Sequence, residues 1–148
     1  MPTKSSAVVD QLSELLSDSY VLYLKTQNFH WNVTGPMFTT LHQLFMAQYT
    51  ELAAANDEIA ERIRALGAFA PGSFSEFSRR SKVKEATGHP AAKEMIKTLA
   101  ADQDTIVALS HKLFASAEAA KDQATADLAT RRQTVHEKNA WMLRSHLE

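Results

Sequence analysis

The chain has 148 residues, of which 45% are hydrophobic and 22% charged, the balance of a folded globular protein with a continuous core. Cysteine is absent, which excludes disulfides, thiolate metal ligands and a cysteine nucleophile, so any metal site must draw on His, Asp, Glu or Met. A net charge of -1 gives no basic field for nucleic acid, and no apolar run reaches bilayer length. With no secretory apolar segment in Met1 to Asp10, a cytoplasmic location is expected.

The four glycines and four prolines fall in a few places, leaving long stretches free of helix breakers. Val8, Leu12, Leu15, Leu16 and Leu22 recur at helical spacing and predict a first helix over about residues 5–31, ended by Asn32 to Pro36. Leu41, Phe45, Leu52, Ile59, Ile63 and Leu66 predict a second over about 37–66, with Gly67 as its stop. From Gly67 to Pro90 the composition is mixed, which fits a long crossover carrying one short helix. After Pro90, Met95, Leu99, Ile106, Leu109 and Leu113 form one stripe and Leu128, Val135 and Met142 another. Polar Lys121 to Thr125 separates helices over about 91–119 and 124–146. Two helices, a long crossover and two more helices make an all-α four-helix bundle, expected as a single domain over residues 1–148.

The second helix has two faces. At 100° per residue its apolar stripe clusters in one direction, while His42, Met46, Tyr49, Ala53, Asp57 and Glu61 share a separate strip. A solvated face would carry more Lys and Arg, so this strip reads as a second contact surface. His42 and Asp57 stand fifteen residues apart, about 22 Å of helical rise, too far for one ion within one chain. Two such helices packed antiparallel about a two-fold axis near Tyr49 would bring His42 of one copy to Asp57 of the other, creating two identical sites. His30, just before the turn into the second helix, joins His42. Two imidazoles would then face the i, i+4 pair Asp57 and Glu61, a mixed nitrogen and oxygen set suited to Fe(II).

Several segments resemble the Dps family, the mini-ferritins. They are Lys25-Thr26-Gln27-Asn28-Phe29-His30-Trp31-Asn32-Val33, Gly35-Pro36-Met37-Phe38, Leu41-His42, Gln48-Tyr49, Asp57-Glu58-Ile59-Ala60-Glu61-Arg62-Ile63, His136-Glu137-Lys138 and Trp141-Met142-Leu143. The resemblance implies a ferritin-like fold and a hollow dodecamer that oxidises Fe(II), preferentially with hydrogen peroxide, and stores the ferric product. It further implies that His30 and His42 come from one subunit and Asp57 and Glu61 from its two-fold partner. Glu61 would anchor the iron, His30 and Asp57 would complete the principal position, and His42 would serve a second. Trp31 and Tyr49 are candidate electron donors or packing residues.

The chain departs from the family pattern in two respects. Met46 stands one turn after His42, where the family supplies a carboxylate, so the second iron position is expected to be weak. The arm before the first helix has Lys4 as its one lysine, so any DNA binding is expected to be weak and steeply salt-dependent, with nucleoid association left open. Asp122 and Asp127 fit an iron-entry pore or helix capping. A ferritin or bacterioferritin is disfavoured, because no Glu has His three residues later. Two rival functions stay open: a structural or DNA-protecting dodecamer with weakened iron chemistry, and a metal-free helical module. His89, His111 and His146 have no partners at ligand spacing, and His136-Glu137 is no zincin motif because Ala140 occupies the second His position.

Overall fold

The computed structural model describes residues 4–148, with side chains from residue 6 onward; the lysine-poor arm ahead of the first helix lies outside the described residues. Five helices follow one another: α1 (Lys4–Asn32), α2 (Phe38–Ala65), short α3 (Phe74–Arg80), α4 (Ala92–Ala119) and α5 (Gln123–Ser145). The fold is the expected all-α, ferritin-like four-helix bundle, with α3 inside the crossover.

Helix α1 packs on α2, α4 and α3, and α4 packs on α5. The predicted stripes of the first, second and fourth helices fill the interior: Leu12, Leu15, Leu22, Leu41, Phe45, Leu52, Ile59, Ile63, Leu99, Ile106 and Leu113 are fully buried. The stripe expected for α5 is corrected: Leu128 is buried, but Val135 and Met142 are only half-buried, and His136 and Leu143 take the inward positions. Removing each such aliphatic side chain from water contributes about 1.5–3 kcal/mol. No described helix is long and apolar enough to cross a membrane.

The helix ends follow local chemistry. Gly67, at φ +91°, takes the left-handed position after α2, and Ala68 N–H returns to the Ile63 carbonyl, closing the helix end as the sequence suggested. Between α4 and α5 the same turn is made without glycine. Lys121 adopts φ +58°, and the Asp122 N–H reaches back to the Ala117 carbonyl at 2.9 Å. Asp122 then caps α5, its carboxylate accepting from Thr125 N–H and Thr125 Oγ1, and it pairs with Arg62 of α2 at 2.8 Å. Capping is thus the role the structure displays for Asp122. Asp127 is exposed and pairs with Arg131.

One polar face of α1 fixes the path of the crossover. Asp18 Oδ1 accepts from Ser81 Oγ, Lys82 N–H and Val83 N–H, at 2.8, 2.7 and 3.1 Å. Two turns along, Lys25 Nζ donates to the Lys84 carbonyl at 2.9 Å and pairs with Asp102 of α4 at 2.8 Å. Asn28 then donates to the Ala86 carbonyl, so segment 81–86 lies along α1. Phe77 of α3 stacks on Tyr20, ring centroids 4.7 Å apart.

Both the strained turn and the buried carboxylate can be tested. Replacing Lys121 by Gly removes the side-chain penalty of the left-handed conformation and should raise stability by roughly 1 kcal/mol in denaturant unfolding; unchanged or lower stability would show that Lys121 is unstrained. Burial of Asp18 raises its pKa above the ordinary carboxylate value despite the three hydrogen bonds. A raised folded-state pKa contributes stability that is complete below the unfolded value, about 3.9, and is lost as pH rises through the folded value. The stability of Asp18→Asn relative to the parent should therefore improve as pH rises from about 4 through that interval, and a pH-independent difference would refute the assignment.

Candidate metal centre

His30 and His42 meet where α1 ends and α2 begins. The last carbonyls of a helix have no intrahelical partner, and His42 Nδ1 lies 2.7 Å from the carbonyl of His30. In return His30 Nδ1 lies 2.6 Å from the carbonyl of His42. A carbonyl only accepts, so each Nδ1 carries the hydrogen and donates it. That leaves Nε2 of each ring as the atom that can take a metal.

The rings are stacked, with centroids 3.8 Å apart and planes 13° from parallel. An imidazole lone pair lies in its ring plane, and two planes so nearly parallel share no nearby point, so the stacked rings do not aim their Nε2 lone pairs at one ion. Tyr49 meets His30 edge-on at 5.3 Å and Tyr23 at 5.8 Å, and Phe38 lies 4.9 Å from His42. These neighbours hold the pair in place; His30 is buried and His42 half-buried.

Asp57 and Glu61 are on α2 but far from this pair. Because α2 is continuous from Phe38 to Ala65, the fifteen residues from His42 to Asp57 fix a separation of about 22 Å. Among the described residues, no three His, Asp or Glu side chains converge as a metal site within the chain.

The acidic residues of α2 divide into two sets. Glu51 receives a bidentate contact from Arg132, at 2.6 and 2.9 Å, and Glu58 receives Arg131, at 2.6 and 3.1 Å. Both face α5. Asp57 and Glu61 are exposed, with no such arginine, so they are set apart from Glu58 rather than sharing one acidic face with it. Asp57 borders a groove of about 520 Å³, together with Leu16, Tyr20, Ala53, Ala60 and the turn at Pro71. Asn56 lines it too, and this side chain is 6% exposed with neither amide atom hydrogen-bonded. Met46, one turn after His42, is 45% exposed, and Trp31 is 60% exposed.

The bundle also holds polar groups that local spacing did not reveal. His136 is fully buried. Its Nε2 accepts from the Arg132 guanidinium at 3.0 Å, and its Nδ1–H donates to Gln103 Oε1 at 2.5 Å. Burial, and then the neighbouring Arg132 charge, hold its pKa well below the usual histidine value. It stays neutral, as part of a chain from Glu51 through Arg132 and His136 to Gln103. Its partners lie on other helices or a turn away, so spacing around His136 alone carries no signal of them.

The ferritin-like domain family matches residues 9–148. The chain is 38% identical to DNA protection during starvation protein 2 of Bacillus anthracis over 140 residues, 95% of this chain and 96% of that one. The solved Dps protein from Bacillus brevis superposes with a TM-score of 0.96 at 36% identity, covering all of both chains. A Dps protein from Vibrio cholerae, described as a member of a broad superfamily of ferritin-like diiron-carboxylate proteins, gives 0.94 at 30% identity, over 98% of this chain and 91% of that one. Since the likeness runs through every helix of the bundle, including the short one in the crossover, the chain belongs to the Dps family of ferritin-like proteins.

Proposed function

We propose that this protein oxidises Fe(II) and stores the ferric product, at sites shared between two-fold-related subunits of a hollow dodecamer. The observation that carries this reading is the separation along α2. Two metal-ready imidazoles stand at its start, and two carboxylates free of arginine stand about 22 Å further on. An antiparallel α2–α2 contact makes both ends productive at once, because a two-fold interface is self-complementary.

In the proposed site, His30 joins Asp57 and Glu61 of the partner subunit to bind the principal iron. His42 serves a second position, weaker because Met46 replaces a carboxylate. Two Fe(II) supply one electron each; hydrogen peroxide takes both, its O–O bond breaks, and with two protons it leaves as two waters. Pairing the electrons avoids hydroxyl radical. Tyr49, in contact with His30, is a candidate for supplying an electron when the second position is empty, as is Trp31.

A structural or DNA-protecting assembly with weakened iron chemistry is the second reading, favoured by Met46 and by the DNA protection for which the Bacillus anthracis relative is named. With a net charge of -1, DNA affinity would be weak and steeply salt-dependent.

Anaerobic addition of Fe(II) followed by peroxide should give ferric absorbance faster than in buffer, with iron co-eluting on the oligomer; buffer-rate oxidation with no retained iron would overturn the proposal. Sharing between subunits has its own test. Chains carrying His30→Ala with His42→Ala should be inactive, as should chains carrying Asp57→Ala with Glu61→Ala. Co-assembled in equal amounts, they should recover about a quarter of the parent activity, because half the dimers are mixed and each mixed dimer has one intact site. No recovery in assembled mixed particles would overturn the shared site.

A further inference from the structure

Three tyrosines form a line of touching rings that starts at His30. Tyr49 of α2 meets the His30 ring edge-on, with centroids 5.3 Å apart. Tyr23 of α1 meets Tyr49 edge-on at 5.8 Å, and Tyr20, one turn back along α1, lies 5.7 Å from Tyr23. Every step falls within the roughly 4.5–7 Å of direct ring contact. The line ends at Tyr20, which Phe77 of α3 covers at 4.7 Å and which lines the same groove as Asp57. Helices α1 and α2 run antiparallel, since His30 sits beside His42 and Tyr23 beside Tyr49. The tyrosines therefore advance from the His30 end of the subunit toward its Asp57 end. In the proposed dimer those two ends belong to different iron sites, His30 to one and Asp57 to its twin.

A phenol can give up one electron with its proton and take both back, which a phenylalanine ring cannot. Peroxide takes two electrons, each Fe(II) gives one, and the position at His42 is weakened by Met46. We propose that Tyr49, Tyr23 and Tyr20 conduct electrons between the two iron sites of a dimer, so that twin sites holding one Fe(II) each act as a pair on a single peroxide. The proposal rests on the shared iron site and adds to it a route for the second electron. One Fe(II) gives its electron to peroxide directly. Tyr49 gives the second and releases its phenolic proton to water. Tyr23 then restores Tyr49, Tyr20 restores Tyr23, and the Fe(II) of the twin site restores Tyr20, each ring regaining a proton with its electron. The sum is two Fe(II), one peroxide and two protons giving two Fe(III) and two waters, with the tyrosines unchanged. All three rings are half-buried in the subunit, so water can take and return the protons. Electron exchange falls steeply with distance, so short contact steps outrun a single transfer along the about 22 Å between the two ends of α2.

The test uses the assembled protein, loaded anaerobically with one Fe(II) per subunit and mixed with one peroxide for every two Fe(II). Tyr23→Phe and Tyr20→Phe keep the ring and nearly the volume and leave every proposed iron ligand in place, so Fe(II) binding should match the parent. The parent should oxidise all its iron in one fast phase. In either variant the fast ferric yield should fall about two-fold, because only one site of each twin pair then contributes its electron. Freeze-quench electron paramagnetic resonance should show a stranded tyrosyl radical in the variants that the parent does not accumulate, and adding Tyr49→Phe should abolish it. Full fast yield in both variants would overturn the relay and leave the shared site standing. A lower yield without a stranded radical would mark a packing effect and overturn it too, as would a radical that survives Tyr49→Phe. Failure of the parent itself to bind or oxidise Fe(II) would overturn the shared site, and the relay with it.

Discussion

The exchange of hydrogen bonds between His30 and His42 sets the chemistry of this end of the bundle. Each ring gives its Nδ1 hydrogen to the other residue's backbone carbonyl, joining the end of α1 to the start of α2 and choosing the tautomer of both rings in one arrangement. A helix end must satisfy its terminal carbonyls, and here the His42 side chain does so for the His30 carbonyl at the end of α1. Stacking at 3.8 Å then keeps the two ring planes from meeting at one point.

The other half of the architecture depends on polar groups inside the bundle. Arginines reach from α5 and α2 across the α2–α5 seam, where Arg62, Arg131 and Arg132 each hold a carboxylate. Arg132, with a side chain only 4% exposed, is the buried member. Leaving it unpaired would cost several kcal/mol, and its bidentate contact with Glu51 and its link to neutral His136 meet that need. On the opposite side Asp18 and Lys25 hold the crossover against α1. This fixes α3 on α1 and shapes the groove that Asp57 borders.

The long helices were legible because apolar residues recur at helical period and breakers are confined to the connections. The expected limits differ from the observed ones by at most one residue at each end. The turn after Ala119 was legible only as a polar interval, since a lysine in left-handed conformation has no sequence signature of the kind glycine supplies. At the candidate site the approach of His30 to His42 followed from the length of the turn, but their stacking and hydrogen-bond exchange depend on side-chain geometry that spacing does not encode. The separation of Asp57 and Glu61 from Glu58 was likewise hidden, because it is decided by Arg131, far along the chain. His136 seemed isolated for a related reason: Gln103 becomes its neighbour only when α4 and α5 pack, and Arg132 is turned toward it by the same packing.

The unbroken course of α2 also bears on when the proposed chemistry could begin. A newly made chain would carry a basic half-site and an acidic half-site held apart by a rod that no side-chain rotation can shorten. Such a chain would be inert toward iron until it found a second copy. Oxidation would then start only where the protein shell that collects its product is already forming.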